Sequence, residues 1–395
     1  MRRTAIKIHL WLGLTLGLLW AIQGTTGALY VFAREYDRLE MPKVVHGPPA
    51  SLDDVLAAAR QVAGAARIER LAMTDGKRDL IDVYYHDAKG DLVSAQLDAS
   101  SGKRVGARPL EPATPWAGSV TRWIYMIHMR LNAGAPGELI IAISGLFLLS
   151  ASALGLWIGW PRARMWRKTF AAGQWRSPDQ RLYGWHRAVG LLAAMALIVM
   201  GGTGFMLNTS VVEDLLQKIV PFHKLVGGMH HAGMAGMMHP DDAPHLSAQQ
   251  ALEIATARIP DGQWVRVFMP NPDQHFYSVR LHRPAETRAW LGATSVVVDS
   301  DTGEVVDVYD AVNAPLANRV MDAVFAVHSG EIGGLPGRML VLLVGLSLPF
   351  FYVTGVWAWF RKAKRKRNSA RRKAGTVPIA RPNSLDTGEA SAHSA

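Results

Sequence analysis

Four histidines occupy matched positions in two copies of one pattern. A shift of 177 residues lays His9 on His186, with Gly13 on Gly190, Gly24 on Gly201 and Gly27 on Gly204. A shift of 200 lays His128 on His328, with Pro136 on Pro336, Gly137 on Gly337, Gly145 on Gly345, Gly155 on Gly355 and Trp157 on Trp357. A neutral imidazole donates a nitrogen lone pair to iron while its other N–H is held by a carbonyl or a polar side chain. Imidazoles from different copies can therefore fill the two axial positions of one haem, His9 with His186 and His128 with His328. Filling both positions favours electron transfer over oxygen binding. Glycines facing such a macrocycle let helix backbones approach it. The competing reading is that each histidine merely ends a helix at the headgroup region, against which the registered repetition of all four speaks. His128 and His328 are the weaker pair, since a Pro-Gly step separates each from its apolar segment.

The elements that must position these residues are four charge-free apolar segments: His9 to Phe32, Leu139 to Trp160, Ala188 to Ser210 and Met339 to Phe360. At ~1.5 Å rise per residue each can cross a hydrocarbon core about 30 Å thick. Their glycines and terminal tryptophans suit transmembrane helices better than buried helices of a soluble protein. Arg2, Arg3 and Lys7 precede the first segment; Arg162, Arg164, Arg167, Lys168, Arg176, Arg181 and Arg187 separate the second from the third; RKAKRKR follows the fourth. By the positive-inside rule both termini are expected in the cytoplasm of a bacterial cell, with the chain in the inner membrane and two large loops in the periplasm. The net charge of +11 lies in these basic pieces and points to membrane lipids, with no nucleic acid among the partners. The first segment is too long for an ordinary signal peptide and lacks a small-residue cleavage site after it, so it is expected to stay as an anchor. Cysteine is absent, which excludes thiolate iron–sulfur ligation, disulfides and C-x-x-C-H attachment; any haem is noncovalent.

Each large loop repeats one order of elements. SLDDVLAAARQVA reads as a helix capped by Ser51, followed by strand-like ARIERLAM, DLIDVYYH and DLVSAQLDASSGKRV; SAQQALEIATARI, capped by Ser247, is followed by QWVRVFMP, HFYSVRLH and TSVVVDSDTGEVVDVYD. Each loop is therefore expected to bury one helix against its own small antiparallel sheet. Between Lys218 and His245 the second loop carries an insertion with His223, His230, His231, His239 and His245, and with Met229, Met234, Met237 and Met238. Imidazole and thioether groups suit copper, and Asp241 or Asp242 would add a ligand for iron or zinc, a possible secondary metal site. No metal-site spacing is present, and Met-rich packing against membrane or domain competes. Tyr30, Phe32, Trp116, Trp123, Tyr125, Phe205, Phe222 and Phe325 fit an interfacial belt. Arg122, Arg130, Arg319 and Arg338 are candidates to neutralise haem propionates or an anionic ferric chelate, against ordinary headgroup contacts.

The stretches KIHLWLGLTLG, IHMRLNAGAPG, GWHRAVGL and VHSGEIGGLPG, with the module SAQQALEIA then VVVDSDTGEVV and the more divergent SLDDVLAAA then SAQLDASSGKRV, resemble the PepSY-associated transmembrane helix family over nearly the whole chain. Within it the chain is similar to FoxB-type inner-membrane ferric-siderophore reductases. The resemblance implies four spans and two noncovalent b-type haems ligated by His9, His186, His128 and His328. It further implies electron flow from cytoplasm to periplasm and reduction of a ferric siderophore with release of Fe(II). The partners would be the ferric siderophore, a cytoplasmic or quinol electron donor and periplasmic iron-uptake proteins. The Met/His-rich insertion stands outside the core family pattern. No Rossmann fingerprint or flavin motif is visible, so the electron donor is expected to be external, and no side chain is assigned a proton-abstracting role.

Two other functions compete. A peptide-binding or protease-restraining protein would use the spans as anchors and hold no haem. A metal or siderophore transporter suits the internal repeats, whereas the scarcity of ionisable groups within the spans offers it no coupling path. The expected fold class is an α-helical membrane protein, a four-transmembrane-helix bundle with two periplasmic α+β PepSY-like domains. Its boundaries are a first span at 1–33, a first PepSY-like domain at 34–118, and an interfacial segment with the second span at 119–160. A cytoplasmic loop at 161–184 leads to the third span at 185–210; the insertion and second PepSY-like domain fill 211–320. An interfacial segment with the fourth span covers 321–360, and a basic disordered tail 361–395.

Overall fold

The computed structural model describes the chain apart from residues 41–43, 45–46, 75–78, 118, 173–174, 227–244, 272–273, 289 and 375–395. The first span is α1 (Arg2–Thr15) and α2 (Gly17–Tyr30), followed by α3 (Ala33–Glu40). Then come α4 (Leu52–Ala63) and strands β1 (Ile68–Met73), β2 (Leu80–His86), β3 (Leu92–Asp98) and β4 (Arg104–Pro109). A short helix α5 (Val120–Arg130) precedes α6 (Gly134–Gly159); α7 (Trp166–Phe170) and the long α8 (Pro178–Leu207) follow. The second half adds α9 (Val211–Ile219), α10 (Ala248–Arg258), β5 (Gln263–Phe268), β6 (Phe276–His282), β7 (Thr294–Asp299), β8 (Val305–Tyr309), α11 (Leu316–Ser329) and α12 (Gly334–Ala374).

Local chemistry sets the helix starts. Ser51 caps α4 by accepting from the Asp54 N–H. Ser177 with Gln180, and Ser247 with Gln250, form reciprocal capping boxes on α8 and α10, and Pro178 occupies the first turn of α8, where its missing N–H costs nothing. Three helices, α6, α8 and α12, are long and apolar enough to cross a membrane; α1 with α2 makes a fourth if the two form one span. That first span is not the straight rod its composition suggests, because α1 and α2 meet at 62°. Gly17 at the joint accepts the Tyr352 ring, which a Cβ would meet at 2.8 Å. Thr15 turns its hydroxyl back to the Trp11 carbonyl at 2.8 Å, a bond that bends helices.

Spans from different repeats cross at glycines. α2 packs along α12 and α6 along α8. A Cβ on Gly24 would strike the Gly345 carbonyl and one on Gly345 the Gly24 carbonyl; Gly145 and Gly201 stand in the same reciprocal relation. The glycine repeats therefore mark helix–helix crossings, as small residues do where backbones must touch in lipid. The tail also departs from expectation. The basic run after Phe360 stays helical to Ala374 rather than unwinding at 361. Lys, Arg and Ala are strong helix formers, and Asp179 at the start of α8 pairs with both Arg361 and Arg365.

The two loop modules do not form two separate sheets. All eight strands join one antiparallel sheet in the order β4-β3-β2-β1-β5-β6-β7-β8, with β1 of the first module hydrogen-bonded to β5 of the second. Pairing those two strands removes the inner edge each module would otherwise expose. Helices α4 and α10 cover one face over a shared core that includes Val55, Leu71, Leu97, Ala251, Val279 and Val298. Ser247 Oγ also donates to Asp53 at 2.7 Å, and Gln249 Oε1 accepts from the Leu52 N–H, so the two helix N-termini lock together. The opposite face is polar, with Asp82, Ser94, Gln96, Arg280 and Ser295 all buried. It is tied to the end of the bundle that carries α3, α5 and α11 through Arg108–Asp37 at 3.6 Å and the Tyr309–Asp322 hydrogen bond.

Candidate histidine-pair sites

The four repeated histidines meet in two pairs. His9 on α1 faces His186 on α8 with ring centroids 6.5 Å apart, at the end of the bundle away from the sheet. His128 on α5 faces His328 on α11 at 6.3 Å, beneath the sheet. Between the levels of the two pairs, α8 runs about 27 Å from His186 to Gly204 at ~1.5 Å per residue. Each ring lies against a glycine of a neighbouring span. A Cβ on Gly155 would stand 3.0 Å from His9 Cε1, one on Gly27 2.7 Å from His128 Cε1, one on Gly204 3.3 Å from His328 Cε1, and one on Gly355 3.9 Å from His186 Cε1.

Every Nδ1 has an acceptor. His9 Nδ1 lies 3.0 Å from the Ala151 carbonyl, and His128 Nδ1 3.1 Å from the Gln23 carbonyl and 3.3 Å from Thr26 Oγ1. His186 Nδ1 meets Thr354 Oγ1 at 2.8 Å, and His328 Nδ1 meets Thr203 Oγ1 at 2.8 Å. Thr354 Oγ1 already donates its proton to the Phe350 carbonyl, and Thr203 Oγ1 to the Val199 carbonyl, so both hydroxyls accept from the imidazole. All four rings thus carry their proton on Nδ1 and keep the Nε2 lone pair free. A metal held between two imidazole nitrogens at about 2 Å each sets the ring centroids about 6 Å apart, a separation that both pairs match. Among the described residues no cluster of three or more His, Asp or Glu could hold a metal ion.

The threonines were not singled out from the sequence, yet the repeat carries two of them. Thr26-Gly27 falls on Thr203-Gly204 under the 177-residue shift. Thr354 has no such counterpart, because Leu154 stands at the matching position. Thr354 also lines a cleft of about 400 Å³ at the bundle end away from the sheet, together with Arg181, Trp185, Phe350, Trp357 and Arg361.

The other candidate residues are dispersed. Arg338 is committed to Glu35, at 2.6 and 2.7 Å, and to the Val31 carbonyl. Arg130 pairs with Glu111 at 2.7 Å and reaches Glu138 at 3.7 Å. Arg319 is exposed at the start of α11. Arg122 donates to the Leu110 carbonyl and lies over the Tyr125 ring, turned toward the polar sheet face. His223 contacts Asp307 at 3.1 Å and stacks edge-on to Tyr309, so it is held by β8; His245 is exposed, 3.5 Å from Asp301. His230, His231 and His239, with the four methionines of the insertion, lie outside the described residues.

Comparison with known proteins bears on the whole of this arrangement. A search of curated proteins returns no match. A family model described as the PepSY-associated TM region matches residues 6–362, which takes in all four histidines, every span and the sheet. The chain is a multi-pass membrane protein of the PepSY-associated TM region family.

Proposed function

We propose that this protein is an inner-membrane ferric-chelate reductase that holds two noncovalent b-type haems, His9 with His186 and His128 with His328. It would pass electrons to a ferric siderophore in the periplasm. The observation that carries this reading is the set of four imidazoles in two facing pairs, each with Nδ1 donating and Nε2 free. Haem bound in such a pair supplies one-electron transfer without an open iron position.

The chain's own residues do the rest. Ala151, Gln23, Thr354 and Thr203 fix the tautomer and orient each ring. Gly27 and Gly155 let neighbouring helices close over their rings. Arg162, Arg164, Arg167, Lys168 and the basic stretch of α12 gather at the bundle end away from the sheet, which supports placing that end in the cytoplasm and the sheet in the periplasm. The cleft beside Thr354, with tryptophan walls and arginines at its mouth, suits a cytoplasmic donor or a quinol. At the sheet side Fe(III) in the chelate gains one electron, and Fe(II), held less tightly by hard oxygen ligands, leaves for periplasmic iron-uptake proteins.

The test is the absorption spectrum and haem-to-protein ratio of the purified protein. It is repeated with each of the four histidines replaced, and dithionite-reduced protein is then mixed anaerobically with ferric chelates. Expected are a bis-imidazole haem spectrum and reoxidation matched by Fe(II) production. A folded protein that retains no porphyrin would favour the peptide-binding reading instead.

A further inference from the structure

The polar face of the sheet contains an arrangement that folding alone disfavours. β5 and β6 pair Arg266 directly opposite Arg280, and like charges directly opposite in a ladder destabilise it. Arg280 is only 9% exposed, its Nε is buried without a partner, and neither arginine has a hydrogen-bond or ion-pair partner among the described residues. Burial, then Arg288 and Arg266, lower the Arg280 guanidinium to about 9, and burial lowers Arg266 as well. The carboxylates that act on Arg280 are otherwise engaged. Asp322 accepts from the Tyr309 hydroxyl, and burial raises its pKa; Glu286 accepts from the Ala293 and Thr294 N–H groups.

Unfilled polar capacity extends along the same face. Ser278 Oγ, Gln96 Nε2 and Arg108 Nε are also buried without partners, and the strand register places all three on the side that carries Arg280. That side looks onto the two helices bearing the sheet-side histidines. Arg288 donates to the Asp322 carbonyl and lies over Phe325 on α11, and Arg122 of α5 acts electrostatically on Arg266. A buried Arg280 guanidinium to which no carboxylate is bonded, beside a half-buried Arg266, is stabilised by an anion that completes it, and planar oxygen ligands are what arginine recognises best.

We propose that Arg266 and Arg280 form an anion subsite for the oxygen-ligand shell of a negatively charged ferric chelate, held between the sheet and the His128–His328 pair. This rests on the reductase reading and narrows its substrate to anionic chelates, carboxylate or catecholate in type, over cationic hydroxamates. Carboxylates from the propionates of a haem at that pair are the other source of the same chemistry.

Gallium(III) citrate, anionic and inert to reduction, is the probe. Its binding to the full-length protein in detergent is measured by calorimetry for the wild type, Arg266→Gln, Arg280→Lys and the Arg266→Gln/Arg280→Gln double variant, with haem content and absorption recorded on each sample. Expected are wild-type binding that weakens with salt, a loss of about tenfold or more in the double variant, a smaller loss in Arg280→Lys, and unchanged haem content. The proposal is overturned if the wild type does not bind gallium citrate or if the single variants bind as the wild type does. It is equally overturned if the double variant loses haem or shifts its spectrum while still binding the chelate, which would assign the arginines to propionates. Chelate binding through these arginines in a protein without haem would sink the reductase reading and leave the subsite standing.

Discussion

The two repeats hold their histidines differently. In the first repeat, His9 and His128 point Nδ1 at backbone carbonyls, and their rings press on Gly155 and Gly27 so closely that a Cβ there would stand 3.0 and 2.7 Å away. In the second, His186 and His328 donate to threonine hydroxyls, and the glycines beside them leave 3.9 and 3.3 Å. A backbone carbonyl moves only with its helix, whereas a hydroxyl turns with a side chain. Each facing pair therefore joins one ring fixed by backbone to one ring held by a replaceable side chain. The repeats place equal imidazoles, and the surroundings of one ring in each pair are the more adjustable.

Replacing the histidines is the strongest way to break this comparison. Under the reductase reading, any single change to alanine should lower the haem-to-protein ratio by about half, since one of the two proposed bis-imidazole sites would be lost. His9→Ala and His128→Ala should retain less residual haem than His186→Ala and His328→Ala, because the fixed ring is the better single ligand. Equal residual haem across all four variants would erase the distinction. Next come Thr354→Val and Thr203→Val, which remove the acceptor and leave the imidazole. Losing the partner that holds a ligating imidazole's other nitrogen costs about 10- to 100-fold in affinity, measurable by haem transfer to an acceptor protein. Thr26→Val should do little, because the Gln23 carbonyl still accepts from His128. A large effect of Thr26→Val would show that the first repeat relies on hydroxyls too.

How much of this was legible in the sequence follows from which forces act locally. Repeated histidines and glycines exposed the pairing of the rings, because one register shift relates each span to its copy. The caps at Ser51 and Ser247 and the runs that carry the strands were readable from short-range patterns. Fusion of the two modules was not, since the β1–β5 pairing depends on two edges separated by a span, a short helix and another span. The bend at Leu16 escaped as well, because it takes Tyr352 from the far end of the chain to fill the space beside Gly17. Among the arginines, proximity to a span drew attention to Arg338 and Arg130, which turn out to be neutralised by Glu35 and Glu111. Arg266 and Arg280 sit in ordinary strand patterns, and only the register reveals that they face each other.

Glycine substitutions probe the same difference at smaller scale. Gly27→Ala and Gly155→Ala should destabilise the protein by about 1 to 3 kcal/mol through overpacking against a fixed ring. Gly355→Ala, whose Cβ would make an ordinary contact at 3.9 Å from His186 Cε1, should be nearly neutral, and Gly204→Ala should fall between. Melting temperatures in detergent would check the order, and a Gly355→Ala variant as damaged as Gly155→Ala would count against it.

The smallest effect concerns a charge that switched sign between repeats. Glu138 and Arg338 are equivalent under the 200-residue shift, yet Glu138 only reaches Arg130 at 3.7 Å, while Arg338 grips Glu35 at 2.6 Å and ties α12 to α3. Hydrogen bonds from Arg338 hold the Glu35 carboxyl below its usual range. A depressed carboxyl contributes stability that is complete above its unfolded value of about 4.3 and is lost as pH falls through the lower folded value. Glu35 is 44% exposed, so solvent screening keeps the contribution under about 1 kcal/mol. The wild type should therefore melt slightly higher than Arg338→Gln at pH 7, and the gap should close as the pH drops below 4. A gap that stays constant with pH would mean that Arg338 acts through its bond to the Val31 carbonyl and its packing on Phe32, and that the switched charge itself adds nothing.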